Sequence, residues 1–301
     1  MNAKQLNTAL ILLPDFLLIM LGCALSRYTH LQRPVWEALE KLVYWVLFPC
    51  MLLNTTSKAP IDWGQNTTML LMLAGCMVLA ALLGMCAKWL FHVDKINLSS
   101  GLQTTFRFNT YIAFAAAERL SGQEGMALMA ITVACLVPLA NVMAVFSLAR
   151  HSSNRIWVEL AKNPLIIATS TGLLLNIFKI PLPEIANFTL GRLGGASIPL
   201  GLMTVGAGLM WVSNKRDGAL VAYWTTIKLL VLPALALFIG KSLELGPSQL
   251  ENALLISSMP TATSAYILAN RMGGNGAIVS ITISLMTLLA AVTVPFWLLL
   301  L

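Results

Sequence analysis

Apolar stretches long enough to cross a lipid bilayer recur along almost the whole of this 301-residue chain. A helix needs about 20 mainly apolar residues to cross the hydrocarbon core. Charged residues make up only 10% of the sequence, whereas a soluble protein carries about 25%. The sequence therefore predicts an all-α polytopic membrane protein. We count ten spans, at residues 6–26, 36–56, 67–90, 99–119, 126–149, 163–180, 185–212, 219–241, 250–271 and 276–300.

Several classes of function are disfavoured by the same sequence. The net charge of +7 comes mostly from short loops between spans, and no nucleic-acid-binding motif accompanies it, so we predict no nucleic-acid partner. The five cysteines lie in apolar spans without a C-x-x-C pair, and the three histidines lack ligand spacing. No nucleophile–base pair or phosphate loop is visible. We therefore predict no enzyme activity, cofactor or bound metal.

The distribution of basic residues predicts an orientation. Loops that follow odd-numbered spans, with the adjoining end of the second span, hold eleven Lys and Arg residues, and the other side holds five. Because basic loops stay in the cytoplasm, both termini are predicted to lie outside. The short chain and its basic inner loops favour a bacterial inner-membrane protein.

The ninth span contains a break at Met259-Pro260. Proline removes one backbone donor and frees the carbonyl about a turn before it. In lipid such a break persists only where protein, polar side chains or a water-filled cavity satisfies the freed groups. Hydroxyl side chains surround this break, at Ser257, Ser258, Thr261, Thr263 and Ser264.

The fourth span is the matching segment in the first half of the chain. A polar stretch at residues 150–162 divides the sequence into halves 1–149 and 163–301, each with five spans. Because five is odd, repeats built from these halves must be inverted. Paired broken helices of this kind form the substrate site in many secondary transporters. The fourth span breaks by polarity, with Gln103, Thr104, Thr105, Arg107, Asn109 and Thr110.

Five segments carry a resemblance to a known family. In this order along the chain, they resemble segments of the auxin efflux carrier family, which includes plant auxin exporters and bacterial permeases for malate or malonate. The segments are FPCMLLN, FNTYIAF, NPLIIATSTGLLLN, ASIPLGLMTVGAGL and SSMPTATSAYILANRMGG, in spans two, four, six, seven and nine.

The resemblance implies ten helices in two inverted repeats of five, with helices four and nine crossing at their broken middles. It also implies a scaffold from residues 1–56 and 163–212, and a mobile transport domain from residues 67–149 and 219–301.

Individual positions of the family pattern can be matched on this sequence. Asn109 matches the asparagine that holds the substrate carboxylate in plant members, Pro260 matches the proline of the ninth helix, and Asn163 begins the Asn-Pro of the sixth. The chain departs from the pattern at Phe108, where plant members have proline, and within Ala115–Ala117, where their second proline is replaced.

Two residues of the fourth span are candidates for binding a carboxylate. The side-chain amide of Asn109 supplies two donors, although asparagine also forms hydrogen bonds between membrane helices. Arg107 could bind a carboxylate through two parallel hydrogen bonds, or serve a structural role. The two side chains point about 200° apart on a regular helix, so both reach one ligand only if the backbone is distorted. Further predicted contacts are Thr110, Pro260, Thr261, Thr263, Ser264 and Asn163, although the hydroxyls could instead cap carbonyls freed by Pro260.

Asp15, Lys228 and Asn141 are candidates for coupling or gating. Ionisable groups inside a membrane are costly and often carry protons or ions, but Asp15 and Lys228 could equally form one buried ion pair. Small residues in span seven fit close helix packing or a homodimer face; they are Gly191, Gly195, Gly201, Gly206 and Gly208.

The predicted function is secondary transport of small organic anions, such as malate, malonate or auxin-like acids, by alternating access of the elevator type. The coupling ion, H⁺ or Na⁺, stays open. One alternative is a sodium-coupled bile-acid-type symporter, and another is a membrane receptor without a transport cycle. The symporter would need cation ligands, for which Asn141, Thr132, Ser264 and Thr287 are candidates.

Overall fold

The computed structural model describes residues 13–58, 63–149, 162, 164–209 and 215–301, and regular secondary structure within these ranges is helical. Asp15 lies in a described helix, but its side chain does not belong to the described part, and neither does Asn163. The helices are α1 (Leu13–Tyr28), α2 (33–58), α3 (63–90, with a turn at 86), α4 (Lys95–Leu102), α5 (110–121), α6 (123–149), α7 (Pro164–Ile177), α8 (Glu184–Ala207), α9 (215–242), α10 (Pro247–Ser258), α11 (Ser264–Arg271) and α12 (Gly276–Leu298).

Helical segments overlap all ten predicted spans. Within the described ranges, four helices are long and apolar enough to cross a membrane: Asn66–Leu90, Glu124–Leu148, Gly218–Ser242 and Gly276–Leu298. Two of the long helices contain a wide π turn, at Val43–Leu47 in α2 and at Ile227–Val231 in α9. Such turns insert one extra residue into a helix and often occur at functional sites.

The junction between the predicted fourth and fifth spans is a kink and not a loop. Helical structure runs from Thr110 to Ala149 and is interrupted only at Gly122, where φ is 56° and ψ is −138°. Because a positive φ is costly for residues with a Cβ atom, glycine suits this position. The predicted spans end at residue 119 and begin again at residue 126, and one glycine between them is enough to redirect the chain.

One set of helices packs through close backbone contacts. We call α1, α2, α7 and α8 the first helix group, because α8 packs on α1 and α2 and α7 packs on α2. A Cβ atom at Gly206 would lie 1.7 Å from the Ile19 carbonyl oxygen, and one at Gly22 would lie 2.0 Å from that of Met203. Small residues allow helices to approach this closely in membranes.

Two of the five predicted packing glycines thus make tight contacts within the chain. One is Gly206, described above. The other is Gly201, against which the ring of Tyr111 packs so closely that it would lie 2.8 Å from an added Cβ atom. By contrast, no described heavy atom lies within 4 Å of such an atom at Gly195, and only the Asn54 amide, at 3.8 Å, approaches Gly191.

A second helix group consists of α3, α4 and α9–α12, which pack against one another. Trp224 of α9 is fully buried against Gly101 of α4, and its indole N–H donates to the Gly84 carbonyl of α3 at 3.3 Å. In the same way, Trp297 of α12 donates to the Leu229 carbonyl of α9 at 2.8 Å. The stretch 110–149 packs against both groups and so lies between them.

The contact between α1 and α8 provides a test of this packing. Gly206→Ala should lower the free energy of unfolding by about 1–3 kcal/mol, because it forces a methyl group against the Ile19 backbone. The matched substitution Gly195→Ala, in the same helix, should leave it unchanged or slightly higher. Thermal melting of the detergent-purified proteins measures both. Equal melting temperatures for the two variants would contradict the close approach.

Candidate functional site

Two broken segments meet inside the second helix group. The first crossover, residues 95–121, leaves helical geometry at residues 106–109, and the second crossover, residues 247–271, leaves it at residues 259–263. The Asn109 N–H donates a hydrogen bond to the Pro260 carbonyl oxygen at 2.7 Å. The two breaks predicted from sequence are therefore in direct backbone contact.

Further hydrogen bonds join the crossovers on either side of this contact. The Thr261 hydroxyl donates to the Thr104 carbonyl at 2.5 Å. The Gln103 amide donates to the Ala265 carbonyl at 3.1 Å. Each break thus satisfies polar groups of the other, which is the condition for unwound backbone at membrane depth.

Asn109 also caps the helix that follows it. Its side-chain oxygen accepts from the N–H groups of Tyr111 and Ile112, at 3.0 and 3.2 Å. A side-chain acceptor at this position stabilises a helix start by satisfying otherwise unpaired donors. The side chain is fully buried, and its NH₂ group has no hydrogen-bond partner among the described residues.

Lys228 lies beside the end of α10, just before the second break. Its ammonium group is fully buried and donates to the Ser257 carbonyl, at 3.0 Å, in the last turn of α10. The last carbonyls of a helix lack partners and carry partial negative charge, so Lys228 caps α10. The side chain of Asp15 lies outside the described residues, so the predicted pairing of Lys228 with Asp15 stays a prediction.

Arg107 connects three elements. Its guanidinium donates to the Ser264 hydroxyl of α11 at 2.8 Å and to the Asn141 side-chain oxygen of α6 at 2.5 Å. Only 4% of the residue is exposed, and its Nε has no hydrogen-bond partner among the described residues. The unwound backbone therefore holds a cation between α6 and α11.

This cation lines a cleft between the helix groups, which we call the central cleft. Its open space is about 610 Å³. The helix starts of α5 and α11 lie in its wall, and helix N-termini favour anions. Five predicted site residues line it, namely Arg107, Thr110, Asn141, Thr263 and Ser264, together with Glu40, Tyr44, Phe48, Phe108, Tyr111 and Thr204.

Other predicted site residues lie at the crossing but do not line the central cleft. Asn109, Pro260 and Thr261 are buried in the contact between the two breaks. They position the backbone from which Arg107 and Ser264 extend.

Glu40 was missed from the sequence. It is partly buried on α2 and lines the central cleft, where Thr263 is one of its neighbours. The available signal was an acidic residue inside the predicted span 36–56, since such residues usually face a cavity. Because Glu40 lies near the start of that span, it resembled an ordinary residue of the membrane surface.

Two larger openings lie toward opposite ends of α2. The first, of about 1030 Å³, shares Glu40, Thr204 and Thr263 with the central cleft; we call it the vestibule, and it is also lined by Ser26, Arg27, Arg33, Trp36 and Tyr266. The second, of about 930 Å³, is the opposite cleft, lined by Asn54, Thr55, Glu118, Arg119 and Gly195 among others.

An aromatic contact forms part of the wall of the central cleft. The rings of Phe48 and Tyr111 both line the central cleft, and their centroids are 4.6 Å apart. The Tyr111 ring also packs on Gly201 of α8.

Three of the four residues suggested for a sodium site accept hydrogen bonds from other side chains. Asn141 and Ser264 accept hydrogen bonds from Arg107, so a guanidinium lies where the cation would bind. Thr132 instead accepts from the Asn252 amide at 2.7 Å.

Variants of Asn109 test its capping role. Asn109→Ala should lower the free energy of unfolding by about 0.5–2 kcal/mol, whereas Asn109→Ser, which keeps a capping oxygen, should cost less. Thermal melting in detergent measures the difference. If the serine variant is as unstable as the alanine variant, capping is not what Asn109 contributes.

The sequence also matches a family of known proteins. A family model described as "Membrane transport protein" matches residues 116–298, more than half of the chain.

Relatives from other organisms are similar over nearly the full length. The chain is 24% identical over 311 residues to a Rhizobium meliloti protein named "Putative malonate transporter", covering 94% of this chain and 92% of that protein. It is 23% identical over 288 residues to an "Uncharacterized transporter" of Methanothermobacter thermautotrophicus, covering 93% and 94%. A third relative, the Escherichia coli "Uncharacterized transporter YfdV", is 22% identical over 302 residues, with 95% of each chain covered.

The crossed broken helices, the apolar helices and this family match agree with one another, and the resemblance drawn from sequence motifs is confirmed. The chain belongs to the membrane transport protein family, the auxin efflux carrier family, and is a multi-pass membrane transporter rather than an enzyme.

Proposed function

We propose that this protein is a secondary transporter of small organic anions and that the anion binds in the central cleft at Arg107. The observation that carries the proposal is the buried guanidinium of Arg107, which lines a cleft beside the two broken segments. Charged groups at membrane depth usually face a substrate or ion pathway.

The surroundings of Arg107 favour a negatively charged ligand. Its guanidinium donates hydrogen bonds to neutral groups, the Ser264 hydroxyl and the Asn141 amide oxygen, so these contacts leave its charge uncompensated. The N-termini of α5 and α11 add partial positive charge to the same wall. Hydroxyls of Thr110, Thr263 and Ser264 offer further donors to carboxylate oxygens.

Small carboxylates are the substrates we propose. Malonate and malate are small carboxylates, and the Rhizobium meliloti relative carries malonate in its name. Auxin-like acids belong to the same chemical class, and the aromatic side chains of Tyr44, Phe48 and Tyr111 could contact an apolar ligand body.

The packing supports an alternating-access cycle. In this proposal the ten spans form two inverted repeats, the first helix group is the scaffold, and the second helix group with residues 110–149 moves as an elevator. The central cleft and the opposite cleft are both lined by residues from both parts, and the Phe48–Tyr111 contact restricts passage between them.

The basic loops favour one orientation of the vestibule in the membrane. Arg27 and Arg33 line the vestibule, and the excess of basic residues on that side favours the cytoplasm. We propose that this conformation opens inward, in a bacterial inner membrane with both termini outside. An inside-negative potential would favour anion export by about 2.3 kcal/mol per charge per 100 mV.

Flux through reconstituted protein tests the transport function. Liposomes loaded with labelled malonate, malate or indole-3-acetate should lose at least one of these anions faster than protein-free liposomes under an inside-negative potential. Flux of none of them under any imposed gradient would contradict the proposal. Strictly sodium-dependent uptake would favour a bile-acid-type symporter, and tight binding without flux would favour a receptor.

A charge-removing variant tests the binding site. Arg107→Gln should weaken malonate binding by about 10- to 150-fold, because a hydrogen bond to a charged group contributes about 1.5–3 kcal/mol. Isothermal titration calorimetry on detergent-purified protein measures the affinity.

The matched control for this variant is Arg192→Gln. Arg192 is exposed on α8, and its guanidinium lies 5.4 Å from the centroid of the Phe188 ring. Malonate affinity should be unchanged in this control. An equal loss of affinity in both variants would remove Arg107 from the site.

A further inference from the structure

We propose that Glu40 takes up a proton when the anion binds, and that this proton travels with the anion. The inference rests on the proposed function, because it concerns the same cleft and the same ligand. The geometry points to a carboxyl group that shares the binding cavity with the cation of the site.

Glu40 is the carboxyl group of the central cleft among the described residues. It extends from α2 of the first helix group, whereas Arg107 approaches from the first crossover. Thr263 of the second crossover lines the same cleft and is a neighbour of its carboxyl group. The carboxyl group therefore lies between the two parts that the transport cycle would move.

Charge explains why the proton and the anion would bind together. With Glu40 ionised, an entering carboxylate meets a like charge in a confined cleft, where charges interact more strongly than in bulk water. With Glu40 protonated, Arg107 is the formal charge left in the lining of the cleft. Anion binding thus favours the protonated form, and protonation equally favours anion binding.

A route for this proton is present in the structure. Glu40 lines the vestibule as well as the central cleft. Water entering from that side can exchange protons with the carboxyl group. The reaction is a simple association, in which the protein, one anion and one proton give the loaded complex with a neutral Glu40.

Several titratable groups of α1, α2 and the two crossovers lie near Glu40. Between about pH 6 and pH 8.5, arginine stays charged and tyrosine stays neutral at their ordinary pKa values. The control variant described below tests Glu37, the remaining carboxylate. The neighbours are Arg33, Glu37 and Tyr44 on α2, Arg27 on α1, Arg107 and Tyr111 on the first crossover, and Tyr266 on the second crossover.

Lys228 fits this role less well. It does not line the central cleft, and its ammonium group is held by the Ser257 carbonyl. A group that caps a helix end is needed in every state of the cycle, whereas a proton carrier must change its charge during the cycle.

The test is calorimetric titration of purified protein with malonate between pH 6 and pH 8.5, in two buffers of different ionisation enthalpy. The wild type should take up about one proton per malonate bound at the upper end of this range. Its dissociation constant should rise about tenfold per pH unit once Glu40 is ionised in the free protein. Proton exchange by malonate itself is common to all variants, so differences between them isolate the protein group.

Glu40→Gln should bind malonate with no proton uptake and with a dissociation constant that does not rise with pH. Glu40→Asp should restore proton uptake, which a merely structural role would not require. Glu37→Gln is the matched control, since Glu37 is exposed one turn earlier and paired with Arg33 at 3.1 Å. This control should keep the wild-type proton uptake.

Unchanged proton uptake in a folded Glu40→Gln variant would overturn the inference and leave anion binding at Arg107 intact. Proton uptake lost equally in Glu37→Gln would assign the proton elsewhere and also overturn it. If the wild type binds no carboxylate at any pH, the proposed function fails, and this inference fails with it.

Discussion

The hydrogen bond from the Asn109 N–H to the Pro260 carbonyl is the contact on which the site depends. It joins two unwound segments that would otherwise expose unpaired backbone groups far from water. Pro260 has no N–H group, so it does not continue α10. Because the chain is not helical at this point, its carbonyl is available to Asn109. Around this one bond, two helices end and two begin within a few residues of each other.

The charges of the crossing follow from these helix ends. Lys228 lies at the end of α10, where carbonyls carry partial negative charge, whereas the starts of α5 and α11 face the central cleft. The protein thus compensates the negative end of α10 with its own cation and places the starts of α5 and α11 in the wall of the cleft. Arg107 strengthens this polarity, because its guanidinium lies at the same positive side.

Much of this arrangement could be predicted from the sequence, since the responsible signals are local. Apolar length marks the helices, Pro260 marks one break, and the polar run around Arg107 and Asn109 marks the other. The pairing of particular backbone atoms could not be predicted, because it depends on the packing of segments about 150 residues apart. Glu40 was missed for a similar reason: only the folded chain brings the end of α2 beside Thr263. The kink at Gly122 could not be predicted, because the polar residues around it would look the same in a kink and in a loop.

The π turn in α2 has a consequence for the evolution of substrate choice. In an ordinary α-helix, residues four apart drift by about 40° around the axis, so Glu40, Tyr44 and Phe48 would spread over about 80°. The wide turn at Val43–Leu47 counteracts this drift, and all three side chains line one cleft. Losing a single residue from this turn would restore α-helical geometry and absorb the deletion, so the helix beyond it would keep nearly the same orientation. A one-codon deletion there would therefore leave Glu40 and Phe48 at the wall of the cleft and change only the stretch between them, without altering any residue of the two crossovers.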